Sequence, residues 1–438
     1  MLRRLALPAL LATAAAVPLV LPMDAQANEP KISSGLRGKI EKGVEKLFGE
    51  DGKLLRSTSD LAEAFLAMDK VLQGDKKGDA MRANDLWAGA CHAARFTSGG
   101  LKSAQTKKVL VEEMAFADGK TVPLALYGPN KYKVKERSPL LLFVLPKGED
   151  PKAKLQSVVD AHDGLKADVV LAAIAMTDDF SPEAVPYFAA LPLSWTRDKF
   201  NVDSDRWYVV AQGNDVAGPV QESIATLLAD RVAGVALHGV TEAKISTNTA
   251  LYDTAVVATE GSDEVQKAYA DLLGENAKTI AAGETELEEL YQWVTAGPGR
   301  RVQSNFTWTT TIDEDGAGQG TFASFVLESP AKRGEATTAT VAYDRTANTV
   351  TVDGENIGEV TVYMNDQLLD LDKAVTVSIN GSEVANRVFK RSLRAAFNKA
   401  NGRGEWGRFY MSSFRGFAPT TIEASAESDD GGEKKDGE

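Results

Sequence analysis

Between residues 140 and 281 the chain repeats one pattern, a short unbroken apolar run followed by a stretch with helical spacing. The runs are Leu140–Leu145, Val169–Met176, Trp207–Ala211, Val232–Leu237, Ala255–Ala258 and, more weakly, Lys278–Ala281. Helical spacing occupies 151–163, 216–230, 263–274 and 284–296. A strand that is apolar on both pleat faces has to be covered on both, and intervening helices supply the covers. The pattern predicts an α/β fold, a mainly parallel sheet with helices on both faces. Just before it, Val109–Phe116 and Thr121–Tyr127 flank Asp118-Gly119, the chemistry of a tight hairpin. That hairpin is expected as an antiparallel addition at the sheet edge.

The flanks have a different texture. Amphipathic spacing at 36–48, 59–73 and 79–95 predicts a helical segment before the sheet. Ser59-Asp60 and Asp79 suit helix N-caps. After residue 303 come Phe306–Ile312, Thr321–Leu327, Thr338–Tyr343, Thr349–Val352, Val360–Tyr363 and Val375–Ile379, short and rich in Val and Thr. Turns are expected at Asp353-Gly354 and Asn380-Gly381, and a helix at Arg391–Ala400, giving a mostly antiparallel β domain. The last residues carry Glu, Asp, Ser, Gly and Lys without an aromatic and are expected to be disordered. The expected organisation is a leader at 1–27, a helical segment at 28–100, the sheet domain at 101–300, the β domain at 301–418 and a tail at 419–438.

The leader follows from order as well as from composition. Arg3-Arg4 precede an almost uncharged run from Leu5 to Met23, and Ala25-Gln26-Ala27 follows it. A basic start, an apolar middle and a small-x-small site make a cleavable secretory signal. Pro8, Pro18 and Pro22 interrupt the run, which disfavours a spanning helix of about 20 residues. The mature protein is therefore expected to be secreted or periplasmic, without a membrane span. Its single cysteine, Cys91, forms no disulfide within the chain, so a large core has to hold it together. Cys91 shares a helical stripe with Leu86, Trp87, Ala90 and Ala94 and is expected as a small buried hydrophobe. Its neighbour His92 points about 100° away on a helix and does not face it.

The formal net charge of -13 builds no basic face, which argues against nucleic acid and anionic membrane surfaces as partners. No cofactor is expected. Asp178-Asp179, Asp203 and Asp205 fit no calcium-loop spacing. Asp366, Asp370 and Asp372 are expected as turn and edge residues, so no metal is expected either.

The segment NVDSDRWYVVAQGNDVAG at 201–218 resembles the approach to the nucleophile in exported esterases of the polyhydroxybutyrate-depolymerase and prolyl-oligopeptidase-like type. SPLLLFVLPKGED looks like the strand before the oxyanion loop, RVAGVALHGV like strand six, TAVVATEGSDEV like the acid loop and GETELEELYQWV like the His loop and last helix. VTVYMNDQLLDLDKAVTVSINGSEV resembles a β module attached to some bacterial hydrolases of this kind. The likeness spans roughly 105–390 and implies an α/β-hydrolase fold with a Ser, His and acid triad. Counted from Arg206 in the family's spacing, the nucleophile falls on Gly213. A two-residue slip centres an elbow on Asp215, a possible carboxylate nucleophile. Asp263 matches the acid position, Glu284 stands where the His belongs, and Pro146-Lys147-Gly148 replaces His-Gly-Gly at the oxyanion loop.

The chain has only three histidines. His92 falls in the opening helices and His162 near the end of the helix after the first core strand, while His238 ends a strand. None occupies the family's slot near 282–286. His238 alone lies at a carboxyl strand end, the edge where α/β sites form, and its expected role is structural. The sequence therefore favours an exported, non-catalytic hydrolase-fold protein with an unidentified ligand or envelope partner. A diverged hydrolase and a purely structural envelope protein are the alternatives.

Overall fold

Eight strands form the central sheet: β1 (Leu110–Ala115), β2 (Thr121–Tyr127), β3 (Ser138–Leu145), β4 (Val170–Ala175), β5 (Val202–Gln212), β6 (Gly234–His238), β7 (Asp253–Ala258) and β8 (Ala277–Ala281). Their order is β1-β2-β4-β3-β5-β6-β7-β8. β1 and β2 pair antiparallel, β2 joins β4 antiparallel, and every later pairing is parallel. The structure, a computed structural model, describes residues 30–419 except 50–51, 100–106, 116–118, 178–186, 275–276, 297–303, 317, 319 and 404–405. The leader, Asp178-Asp179 and the tail from 420 lie outside the described residues.

Alternation along β3 shows why both faces are covered. Leu140, Leu142 and Val144 enter one apolar cluster, and Leu141, Phe143 and Leu145 enter the other. Ahead of the sheet, α1 (Ser34–Glu45), α2 (Thr58–Gln73) and α3 (Asn84–Gly99) join the first cluster. α4 (Pro151–Ala161) and α5 (Asp163–Asp168) cover the second, and α6 (Tyr187–Lys199), α7 (Asn214–Ser223) and α8 (Asp263–Leu273) the first. α9 (Glu286–Ala296) returns to the second face through Leu290, Trp293 and Val294. The α/β-hydrolase-like architecture expected from the sequence is the one observed. α6 was not expected. Pro192 sits inside it and interrupts the helical spacing, because proline removes one ladder donor.

The C-terminal region holds two further sheets. One is β10 (Thr321–Phe322), β11 (Phe325–Pro330), β14 (Ile357–Met364) and β17 (Ser412–Phe417), in that order. The other orders β16 (Ser382–Val388), β15 (Ala374–Ile379), β13 (Thr349–Glu355), β12 (Ala336–Asp344) and β9 (Asn305–Thr311). β13 and β15 are parallel, and the other pairings are antiparallel. Asn380 (φ 47°) and Gly381 (φ 74°) make the expected two-residue turn. Asp353-Gly354 does not turn: both lie in β13, where a Cβ on Gly354 would stand 1.9 Å from the Thr338 carbonyl oxygen. The chain bends instead at Asn356 (φ 56°), between β13 of one sheet and β14 of the other, and the Asn356 amide donates to the Lys332 carbonyl at 2.8 Å.

α10 (Leu393–Arg403) connects the two ends of the chain. Phe397 meets Phe65 and Trp87, and Trp406 meets Phe48, all edge to face. The opening helices therefore bury their aromatic residues against the C-terminal region.

Candidate functional site

β5 ends at Gln212 and α7 begins at Asn214, so Gly213 alone turns the chain from strand to helix. Its φ of 83° and ψ of 156° lie in a region open essentially to glycine. The Gly213 N–H donates to the His238 carbonyl at 2.8 Å, and its own carbonyl accepts from Ala217 at 2.9 Å. Space is not the constraint, since a Cβ would meet only Pro146 Cγ, at 3.8 Å. The position that the resemblance assigns to the nucleophile is thus the strand-to-helix turn, and it carries no side chain. The slipped elbow centred on Asp215 does not form, because Asp215 is already in the first turn of α7 and exposed. Asn214 is held by two bonds to Thr241: its Nδ2 donates to Oγ1 at 2.8 Å, and the Thr241 N–H donates to its Oδ1 at 2.9 Å.

His238 ends β6 beside this turn, in register with Gln212. Two residues after Ala236, it lies on the face covered by α9. Its Nδ1 is 2.9 Å from Oε1 of Glu286, the first residue of α9, and both side chains are largely buried. Burial alone would raise the Glu286 carboxyl. The hydrogen bond from His238 and the charges of His238 and Lys154 outweigh it and hold the carboxyl below its usual range. In the neutral tautomer that donates from Nδ1, Nε2 is left as the acceptor, the arrangement in which an acid orients a base. Among the described residues Glu286 is the ring's only hydrogen-bond partner.

The other candidates scatter. Asp263 opens α8 and is exposed, and Glu284 is exposed in the turn before α9. Neither bonds His238 among the described residues. Pro146-Lys147-Gly148 turns the chain after β3, with Gly148 at φ 84°. The slot at 282–286 does contribute a residue to the edge, but it is Glu286 and not Glu284. The signal was the helix start: placing α9 two residues later puts Glu286 in its first turn. His162 links α4 and α5, its Nδ1 accepting from the Leu165 N–H at 3.0 Å and its Nε2 lying 3.0 Å from Glu288. His92 is buried in α3, where burial first, and then the charges of Arg137 and Arg95, push its pKa down to about 3.

The acidic clusters pair with arginines. Asp203 faces Arg137 at 3.7 Å, and Asp205 faces Arg408 at 3.4 Å. Arg391 grips both Asp366 and Asp372, while Lys373 is 2.9 Å from Asp370. Among the described residues no group of three or more His, Cys, Asp or Glu could hold a metal ion, and no helix is long and apolar enough to cross a membrane.

No protein-family model matches this chain, and no curated protein matches it by sequence. Solved structures similar to it include a thermostable esterase, 14% identical over 44% of this chain and 60% of that one, with a TM-score of 0.31. Est1E from Butyrivibrio proteoclasticus is 11% identical over 43% and 97%, with a TM-score of 0.32. The S-formylglutathione hydrolase FrmB from Staphylococcus aureus is 8% identical over 44% and 99%, with a TM-score of 0.33. The chain's match spans 60% of the first esterase's length.

Proposed function

We propose that this chain is an exported, non-catalytic protein on an esterase-like α/β-hydrolase fold, whose carboxyl sheet edge serves binding or scaffolding. The observation that carries this reading is Gly213. Acyl transfer through a covalent intermediate needs an attacking atom on the strand-to-helix turn, and the turn here is a glycine at φ 83°. Export rests on the leader ending at Ala27, and the attached C-terminal sheets agree with the β module that the resemblance implies.

A second reading, a diverged hydrolase that activates water, has one observation in its favour. The His238 and Glu286 pair at 2.9 Å supplies an oriented base at the correct sheet edge. One experiment separates the two. The mature protein is incubated with p-nitrophenyl acetate and butyrate and with a fluorophosphonate probe. The expected results are hydrolysis no faster than a surface-matched control and no label at 211–218. A turnover of about 1 per second or more that disappears in His238→Ala would replace the non-catalytic reading with the second.

A further inference from the structure

The start of α1 and the end of α2 line an open groove of about 820 Å³. Its apolar lining comes from Ile32, Leu36 and Val71. Around it stand Lys31, Lys39, Lys70 and Lys77, all exposed, against two acidic side chains, Asp75 and Asp79. Asp75 is engaged locally, accepting from the Ala80 N–H at 2.6 Å. Among the described residues none of the four lysines forms an ion pair. The groove is thus positive in a chain whose net charge is -13. Four exposed ammonium groups around an apolar strip make it a place where burial and charge neutralisation can occur together.

We infer that this groove docks an acidic amphipathic segment of a partner protein, with apolar residues on Ile32, Leu36 and Val71 and carboxylates toward the four lysines. Charge complementarity selects the acidic class. The apolar strip selects an amphipathic peptide over a uniformly polar polyanion, which would leave that strip exposed. An amphipathic helix laid in a groove uses anchors at i, i+3, i+4 and i+7.

The probe is a synthetic peptide with Leu at those anchor positions and Glu elsewhere, compared with a scrambled peptide of the same composition. Binding is read by fluorescence anisotropy on the full-length mature chain. The expected result is binding at least tenfold tighter for the amphipathic peptide than for the scrambled one. It should weaken at least tenfold in a variant combining Lys31→Glu, Lys39→Glu, Lys70→Glu and Lys77→Glu. It should also weaken in Leu36→Asn, which keeps every lysine; far-UV circular dichroism checks that both variants are folded. Equal binding of the two peptides, unchanged binding by the folded variants, or no binding overturns the inference. Vesicles of phosphatidylglycerol and phosphatidylcholine form the other arm. Lysine-dependent capture by these vesicles without peptide binding would assign the groove to a lipid surface and overturn it equally.

Discussion

Trp87 of α3 and Phe397 of α10 meet edge to face, with ring centroids 6.3 Å apart and planes at 82°. Phe65 and Phe409 pack on the same Phe397 ring, at 5.6 and 5.2 Å. A ring at the centre of such a cluster carries area burial and the directional preference of aromatic pairs together. Phe397→Ala is expected to cost about 3–5 kcal/mol, read as a lower urea midpoint at unchanged slope. Leu66→Ala, at a position 60% exposed, should stay within about 0.5 kcal/mol. A small effect at Phe397 would mean that the opening helices do not depend on the C-terminal region.

A second prediction contrasts two arginines on one aspartate. Arg391 binds Asp366 through two nitrogens and also reaches Asp372 at 2.7 Å, its side chain 15% exposed. Arg82 reaches the same Asp372 from the opening helices, with both side chains more than a third exposed. Arg391→Met would leave the largely buried Asp366 carboxylate uncompensated, at a cost of about 3 kcal/mol. Arg82→Met removes an exposed pair and should cost less than about 1 kcal/mol. Thermal unfolding of the two variants checks the ordering, and equal losses would contradict the burial argument.

The third prediction concerns acid. His92 titrates at about 3 when folded and near 6.5 when unfolded. Between those values the unfolded chain binds more protons, so stability falls as pH drops through that window, by up to about 1.4 kcal/mol per pH unit from this group. His92→Leu puts an apolar, non-titrating side chain in its place and removes the term. The difference in unfolding free energy between wild type and variant should therefore shift in the variant's favour from pH 6.5 to pH 4. A difference independent of pH would show that His92 is not buried in the neutral form.

Which parts were legible in the sequence follows from physical scale. Unbroken runs such as Leu140–Leu145 declared strands buried on both faces, because they are too short for a buried helix and alternate with stretches of helical spacing that supply the covers. Gly213 was placed by counting from Arg206 in the spacing of the family that the segment resembles. The pair of His238 and Glu286 was not legible, since it joins residues 48 apart across two elements whose relative height no local pattern encodes. α6 was hidden by Pro192, and β17 by Gly416 and Arg415, which break the alternation expected of a strand. At Asp353-Gly354 the turn dipeptide misled: the glycine is there for the closeness of Thr338, a contact that only the paired strand reveals.

The last prediction tests the turn on which the functional reading rests. Gly213 has room for a methyl group but a backbone conformation that L-residues rarely adopt. Gly213→Ala should therefore cost about 1–3 kcal/mol, the scale of one strained residue, through conformation alone. Gly354→Ala makes the comparison, since its Cβ would sit 1.9 Å from the Thr338 carbonyl oxygen and force β12 and β13 apart. It should cost more than Gly213→Ala. Gly119→Ala is the control for strain without contact, with φ 79° and nothing within 4 Å of its Cβ; Gly119 itself is exposed, so its loss should be the smallest. Urea unfolding of the three variants gives the order directly. If Gly213→Ala proves neutral, the backbone there is not held at positive φ by the bonds to His238 and Ala217. The glycine would then be a replaceable residue in an ordinary turn, and the reading of this edge as a vacated nucleophile position would fall with it.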